Sequence, residues 1–247
     1  MIIDIHVHDF PGVPVEAVVA EAKRLGIGRL VWLGDVFRFG ARPDAEQIRL
    51  TNDSTWRIVS SDPAFHTGFC HLNPLNGREA NETEMALCLD QYDFRGVKLE
   101  ISVNCRDISL DPIMEGLEAR GKALLHHAWF KTVGQYPDES TPADIAALAG
   151  RFPRVTIVMA HLAGCGIRGV ELVADCANVV IDTSGGQPEA GFIEYAVKRL
   201  GADRLVYGSD VTGRDFGCQL AKVLAARISD ADREKILYRN AERILGR

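Results

Sequence analysis

The first ten residues, MIIDIHVHDF (1–10), place two histidines in an apolar run at the start of the sequence. Side chains on a β-strand alternate between its two faces, so residues two apart share a face. The segment therefore predicts a strand with Asp4, His6 and His8 on one face. The aliphatic residues of the opposite face are Ile3, Ile5 and Val7. Two imidazoles on one face indicate either a metal site or hydrogen-bonded structural histidines, and this segment alone favours neither.

Length and composition narrow the class of protein. The chain has 247 residues, 47% of them hydrophobic and 25% charged, which suits one large soluble domain over residues 1–247. The net charge of -6 argues against a nucleic-acid partner. We find no apolar run long enough for a membrane span and no secretory leader, so we expect a cytoplasmic protein without a membrane partner. The six cysteines lack CxxC spacing, which is typical of reduced thiols.

Apolar runs rich in Val, Ile and Leu alternate with amphipathic stretches along the whole chain. We predict eight strands, at about residues 2–8, 27–34, 65–72, 94–100, 122–127, 154–161, 178–183 and 204–209. Helical periodicity fills the gaps between them, as in TPADIAALAGRFP, where Thr141 is a predicted cap and Pro142 the first helical residue. Eight strand–helix units predict an α/β fold, a single-domain (β/α)8 TIM barrel. An open doubly wound sheet is the alternative, although no GxGxxG follows the first strand.

Most of the histidines fall at predicted strand ends. They are His6 and His8 on strand 1, His71 on strand 3, His126 and His127 on strand 5, and His161 on strand 6. Asp210 follows strand 8 in LVYGSD. The carboxyl ends of the strands in a (β/α)8 barrel meet at one mouth, so these side chains are expected to converge there. Imidazoles with one carboxylate suit zinc and similar divalent ions.

Several short motifs occur in a fixed order over nearly the whole chain. They are IDIHVH, GVKLE, KALLHHAW, IVMAHLAG, VVIDTSG, RLVYGSD and KILYRNAERIL. In this order the sequence resembles the amidohydrolase superfamily, specifically its amidohydrolase-related branch of small hydrolases and non-oxidative decarboxylases. The resemblance implies a metal-dependent barrel of the hydrolase type.

The resemblance also implies a set of metal ligands. His6 and His8 match the HxH ligands, and Asp210 matches the strand-8 aspartate, which contacts the metal and takes a proton from bound water. The strand-5 ligand falls on His127, with His126 as the alternative. Asp4 lies next to this set on the predicted polar face, and we expect it to accept a hydrogen bond from a ligand imidazole.

Further site residues follow from the same resemblance. His161 matches a strand-6 histidine that binds a second metal or acts on the substrate, so His161 and Asp210 are the expected catalytic residues. Lys98 and Glu100 are candidates for a second metal or for substrate binding, and a salt bridge inside the barrel is their structural alternative. His71, in FCHLNP, either approaches the mouth or bonds a loop backbone. Arg106 follows a strand end and is the predicted substrate-binding residue for an anionic group.

The sequence thus predicts a metal-dependent hydrolase that cleaves an amide, ester or lactone bond of a small molecule with a metal-activated water. The alternative is a metal-dependent non-oxidative decarboxylase of an aromatic or unsaturated carboxylic acid. A non-catalytic metal-binding barrel is the third hypothesis. We expect one or two zinc ions, with manganese as an alternative, an anionic small-molecule substrate and a homodimer.

Overall fold

The computed structural model describes residues 1–186 and 188–246 and contains one sheet of eight parallel strands in sequence order. The strands are β1 Ile3–Val7, β2 Arg29–Trp32, β3 His66–His71, β4 Gly96–Leu99, β5 Ala123–His126, β6 Ile157–Met159, β7 Val179–Asp182 and β8 Leu205–Val206. Each lies within a predicted strand, and helices separate them. The expected (β/α)8 TIM barrel is therefore confirmed.

The helices pack around this sheet. They are α1 Val15–Arg24, α2 Ala45–Ser61, α3 Gly77–Met85, α4 Asp111–Arg120, α5 Pro142–Arg151, α6 Leu162–Leu172, α7 Phe192–Leu200, α8 Phe216–Leu224, α9 Asp230–Glu234 and α10 Asn240–Ile244. A π-helical turn, Lys235–Arg239, joins α9 to α10, so the predicted final helix is interrupted. Within the described ranges, no helix is both long and apolar enough to cross a membrane.

The first and last strands meet at a seam that closes the barrel. Strand β8 is only two residues long, and the pairing continues through the residues that follow it. Ile5 N donates to Tyr207 O at 3.1 Å, and Asp210 N donates to His6 O at 2.8 Å. The seam therefore joins the backbone of the HxH segment directly to the backbone of Asp210.

Strand β1 carries one extra residue relative to β2. Asp4 pairs with Leu30 but Val7 pairs with Trp32, so three steps on β1 match two on β2. A bulge of this kind reverses the face of the residues after it, and bulges are common beside active sites. The predicted faces of β1 are wrong for this reason. Ile3 and Ile5 belong to the inner apolar cluster, whereas Val7 belongs to the outer one.

Two apolar layers fill the molecule. The outer layer packs the strands against the helices, and the inner layer fills the barrel. Inner residues from six strands include Ile5, Val31, Phe69, Leu125, Val158 and Val206. Ala241, Ile244 and Leu245 belong to the same inner cluster, so the C-terminal segment covers one end of the barrel. The polar mouth lies at the carboxyl ends of the strands, as in other barrels of this class.

Candidate active site

His6 and His8 present two unprotonated nitrogens to each other. His8 Nδ1 lies 2.7 Å from Gly34 O, and a carbonyl only accepts, so the proton is on Nδ1. His6 Nδ1 likewise donates to Asp182 Oδ2 at 2.7 Å. Both Nε2 atoms therefore carry lone pairs, and they face each other at 3.1 Å. Such a contact between two acceptors is unfavourable without a cation between them.

Asp210 completes this group. Its Oδ1 lies 3.6 Å from His6 Nε2 and 3.8 Å from His8 Nε2, and the three side chains can hold a metal ion. Burial lowers the pKa of His8 well below its usual value, which keeps the ring neutral as a ligand must be. Two imidazoles and a carboxylate are a donor set that divalent transition metals accept. The residues present therefore fit a divalent cation.

A second pair of nitrogens lies beside the first. The Ser184 hydroxyl donates to Asp182 Oδ1, so it accepts the Nδ1 proton of His161 at 2.9 Å. His127 Nε2 donates to Glu139 Oε1 at 2.9 Å. With both rings neutral, His161 Nε2 and His127 Nδ1 are therefore the unprotonated nitrogens, and they lie 3.2 Å apart. His127 thus faces His161, and its assignment to the same ion as His6 and His8 stays a prediction.

His126 occupies a different environment from its neighbour. It pairs with Leu99 and with Met159, which both belong to the outer apolar layer. Its Nδ1 contacts the backbone oxygen of His127 at 2.6 Å. The structure therefore brings His127, rather than His126, to the other histidines of the mouth.

Lys98 and Glu100 form a buried ion pair inside the barrel. Lys98 Nζ lies 2.7 Å from Glu100 Oε1, and neither side chain is more than 6% exposed. The other oxygen, Glu100 Oε2, lies 3.5 Å from His127 Nδ1 and has no hydrogen-bond partner among the described residues. Burial alone would raise the pKa of Glu100, but the Lys98 charge outweighs it and holds that pKa well below its usual value. The salt bridge that the sequence offered as an alternative is present, and Glu100 still faces the second nitrogen pair.

Asp4 does not touch an imidazole. Its Oδ1 accepts from the backbone amides of His6 and Ser209, each at 3.0 Å, so it ties the two edges of the seam together. Because of the bulge, Asp4 pairs with Leu30 of the outer layer rather than sharing a face with His6. The expectation that Asp4 accepts from a ligand ring is therefore wrong. Asp182 has that role.

Arg106 lies away from the histidines. Its guanidinium contacts the Asp144 carboxylate and donates to Ala143 O at 3.3 Å, so it is held at the start of α5. Asp144 also accepts from the Thr141 backbone amide at 2.8 Å, as the predicted cap of that helix requires. The structure therefore does not bring Arg106 together with the other predicted site residues, and a role in substrate binding stays a prediction.

Aromatic rings flank the two nitrogen pairs. Phe10 stacks on His8 with ring centres 4.5 Å apart and planes 9° apart. On the other side, Trp129 lies 5.1 Å from the His161 ring. The Arg214 guanidinium lies 6.0 Å from the Trp129 ring, and its Nε lies 3.7 Å from Asp210 Oδ2. The arrangement offers flat apolar walls and a guanidinium beside the proposed ligands.

Sequence reasoning missed three residues that orient the site. They are Asp182, Ser184 and Glu139, and all three side chains are buried. Asp182 and Ser184 belong to VVIDTSG at the end of the seventh predicted strand, so their position at a strand end could have identified them as site residues. Glu139 lies in the loop after β5, where no motif or periodicity marks it.

The backbone is strained at two site residues. His161 has φ 72° and Asp210 has φ 62°, both in the left-handed region that disfavours residues other than glycine. Strain of this kind persists where the surrounding structure imposes it, and it is frequent at functional sites. The two expected catalytic residues thus both have this backbone conformation.

The amidohydrolase family model matches residues 3–247. The chain belongs to the amidohydrolase family. This finding confirms the resemblance that the sequence motifs indicated. No curated protein matches this amidohydrolase in sequence.

Solved structures share its fold at low sequence identity. The 2,6-dihydroxybenzoate decarboxylase from Rhizobium has 17% identity and a TM-score of 0.80, covering 99% of this chain and 98% of its own. The dihydroxybenzoic acid decarboxylase from Polaromonas sp. JS666, with bound manganese and 2-nitroresorcinol, has 16% identity and a TM-score of 0.76, with coverages of 99% and 96%. A protein assigned as a 2-pyrone-4,6-dicarboxylic acid hydrolase from Pseudomonas putida has 20% identity and a TM-score of 0.75, with coverages of 99% and 97%. At this identity the similarity shows the fold alone.

Proposed function

We propose that this amidohydrolase-family protein is a metal-dependent non-oxidative decarboxylase of a small aromatic carboxylic acid. The observation that carries the proposal is the placement of aromatic walls and the Arg214 guanidinium around the His6–His8–Asp210 group. A flat anionic ring is complementary to such a mouth, because rings stack on aromatic side chains and guanidinium pairs with carboxylate. The decarboxylases that share this fold support the choice over the hydrolase that the sequence favoured.

The residues of the chain account for the proton that the reaction needs. When the carboxylate leaves as CO2, its bonding electrons stay on the ring carbon, which must then take up one proton. A divalent cation held by His6, His8 and Asp210 would orient the substrate oxygens and stabilise their negative charge. Burial raises the pKa of Asp210, so its carboxyl group is suited to carry the proton that the ring carbon takes up. His161 is neutral because burial lowers its pKa, so its Nε2 can accept a hydrogen bond from the substrate.

Hydrolysis is the second candidate, and one observation favours it. The second nitrogen pair, His161 Nε2 and His127 Nδ1, faces Glu100 Oε2, so the mouth contains acceptors for a second cation. Two cations are a frequent arrangement in enzymes that hydrolyse carbonyl and phosphoryl compounds. The protein assigned as a pyrone hydrolase supports this candidate for an ester or lactone substrate.

The two candidates differ in the fate of a carbon–carbon bond, so isotope incorporation separates them. We would load the protein with manganese or zinc and incubate it in D2O with benzoate and the hydroxybenzoates, following the products by proton NMR. Decarboxylation places one deuterium on the carbon that lost CO2, and Asp210→Asn should reduce the rate at least about 100-fold. A parallel panel of esters, amides and lactones, followed by acid release, tests hydrolysis. No turnover in either panel with either metal would favour the non-catalytic barrel.

Arginine variants test the placement of the substrate. Arg214→Ala should raise KM for the acid about 10-fold or more, because a guanidinium–carboxylate pair is lost. Arg227→Ala is the matched control, since Arg227 is 89% exposed and pairs with Glu194. Equal KM values for the two variants would contradict the role of Arg214. Zinc as the native ion, a cytoplasmic location, the homodimer and a single domain over residues 1–247 stay predictions.

A further inference from the structure

A histidine at the end of β3 is buried without partners for its ring. His71 is 2% exposed, and neither Nδ1 nor Nε2 has a hydrogen-bond partner among the described residues. Its backbone is fully paired, because its N–H donates to Asn52 Oδ1 at 2.8 Å and its oxygen accepts from Asn52 Nδ2 at 3.0 Å. The ring itself makes no well-aligned hydrogen bond, although the Lys98 backbone lies close enough to raise its pKa, so the ring keeps hydrogen-bonding capacity for a ligand.

His71 lies beside the buried ion pair of β4. It pairs in register with Lys98, and Phe69, two residues earlier on β3, belongs to the inner cluster, so His71 faces the barrel interior. Lys98 Nζ contacts Glu100 Oε1 at 2.7 Å without a well-aligned hydrogen bond, and Glu100 Oε2 has no hydrogen-bond partner in the part of the chain described. We call His71, Lys98 and Glu100 the floor cluster. It combines three buried polar side chains with unfilled hydrogen-bonding capacity.

The charges of the floor cluster indicate what would complete it. Burial lowers the pKa of His71 to about 4, so the ring is neutral near pH 7. The charges of Lys98 and Glu100 cancel each other, so the cluster has no net charge. A second carboxylate would leave a buried charge unpaired there, which is costly. A hydroxyl group fits better, because it accepts from His71 or Lys98 and donates to Glu100 Oε2 without adding charge.

We propose that the floor cluster binds a hydroxyl group of the substrate and that His71 determines this specificity. The inference rests on the proposed function for the aromatic acid that carries the hydroxyl group. A site built to bond a hydroxyl discriminates strongly against an analogue that lacks it, because its own polar groups are then left unpaired. The protein should therefore prefer a hydroxybenzoate over benzoate.

Equilibrium binding to the manganese-loaded protein tests this preference without relying on turnover. Benzoate and its 2-, 3- and 4-hydroxy derivatives would be titrated by calorimetry at 5 °C, and the remaining acid would be quantified afterwards. At least one hydroxybenzoate should bind about 10- to 100-fold more tightly than benzoate. In His71→Phe this preference should vanish, because the hydroxybenzoates lose a hydrogen-bond partner and benzoate no longer leaves the His71 ring unpaired. His71→Asn, which keeps a donor and an acceptor, should retain part of the preference.

The control is His66→Phe, a substitution of the same type at the opposite end of β3. His66 is also buried, but its ring already has a hydrogen-bond partner, because its Nδ1 accepts from Trp32 Nε1 at 2.9 Å. This variant should keep the preference even if its melting temperature falls. The hydroxyl subsite would be refuted if the preference survived in His71→Phe, or if benzoate bound as tightly as every hydroxybenzoate. Either result would leave the proposed function intact. Failure of all four acids to bind would overturn the proposed function and the subsite with it.

Discussion

Asp182 controls two of the site histidines at once. Its Oδ2 accepts a hydrogen bond from His6 Nδ1, and its Oδ1 accepts from the His161 backbone amide at 3.0 Å and from Ser184. Burial alone would raise the pKa of Asp182, but its interaction with the His6 ring and the hydrogen bonds from His6 and Ser184 outweigh it and lower that pKa. The ionised carboxylate therefore determines which nitrogen of His6 faces the cation.

Asp182→Asn should weaken metal binding more than a simple loss of charge would. An amide NH2 facing His6 Nδ1 would favour the tautomer with the proton on Nε2, which removes a ligand lone pair. We expect the Kd for zinc or manganese to rise about 10- to 100-fold, measured by competition with a chelator. Asp175→Asn, on an exposed residue, is the control. Unchanged affinity in Asp182→Asn would contradict the tautomer argument.

Glu139 has the same relation to His127 from the loop after β5. Lys131 Nζ lies 2.9 and 2.8 Å from its two oxygens, and the His127 ring donates to one of them. Glu139→Gln should allow the His127 proton to move to Nδ1, because an amide can donate as well as accept. Long-range nitrogen–proton NMR of 15N-histidine-labelled protein, without metal, would report the tautomer. Lys131→Met should leave the proton on Nε2. An unchanged tautomer in Glu139→Gln would refute the role of Glu139.

For single residues, the sequence predicted which side chains converge at the mouth but not which side chains orient them. The HxH pair, His161 and Asp210 were found because strand ends converge in a barrel. Asp182 and Glu139 were missed because a side chain that orients a histidine leaves no spacing pattern in the sequence. Arg106 and Arg214 could not be distinguished, since loop arginines look alike until their partners are known.

Close packing around His161 limits which positions in the loop after β7 can carry a side chain. Gly185 follows β7 with φ +88°, and a Cβ there would lie 2.9 Å from His161 Cβ. Gly186 has more space, since the nearest atom to its Cβ would be Ala163 O at 3.4 Å. The two neighbouring glycines therefore form a matched pair for testing whether the loop after β7 positions His161.

Gly185→Ala should destabilise the protein by about 1–3 kcal/mol and displace His161. Both the left-handed backbone and the contact with His161 oppose a side chain at this position. Gly186→Ala should stay within about 0.5 kcal/mol of the parent. Urea unfolding gives the stabilities, and turnover of the loaded protein reports the site. Equal free energies of unfolding of the two variants would show that the loop accommodates a side chain at residue 185 without losing stability.

Element boundaries were predictable because apolar runs and caps mark them, but the β1 bulge was not. Strict alternation assigned Asp4 to the face of the histidines, and one extra residue between Asp4 and Val7 changed that assignment. A bulge depends on pairing with β2 and on the seam with Tyr207 and Asp210, which lie far away in sequence. Local sequence patterns do not contain this information.

Two buried neutral histidines contribute stability to the whole molecule that is lost in mild acid. Burial lowers the pKa of His71 and of His126 to about 4, against an ordinary value of 6.5. The unfolded chain therefore binds more protons between these values, so the stability is complete above pH 6.5 and is lost as the pH falls toward 4. Each histidine contributes up to about 3 kcal/mol to this loss.

His126→Gln should flatten the pH dependence of the free energy of unfolding. The variant lacks one group that must gain a proton on unfolding, so its stability should fall less between pH 7.5 and pH 5. Urea unfolding at both pH values, with a chelator present to exclude metal binding, gives the comparison. An equal loss in parent and variant would mean that folding does not lower the pKa of His126.

The barrel as a whole was predictable because eight strand–helix units have few alternatives at this length. Its closure has a further consequence for any metal that His6 and Asp210 would hold together. His6 and Asp210 meet only across the seam, where β1 pairs with residues that follow the two-residue strand β8. Synthesis of the chain must reach beyond residue 210 before any cation can be enclosed. A cation held by both residues would therefore be enclosed only after the seam has formed, and amide exchange at the seam should slow when the ion binds.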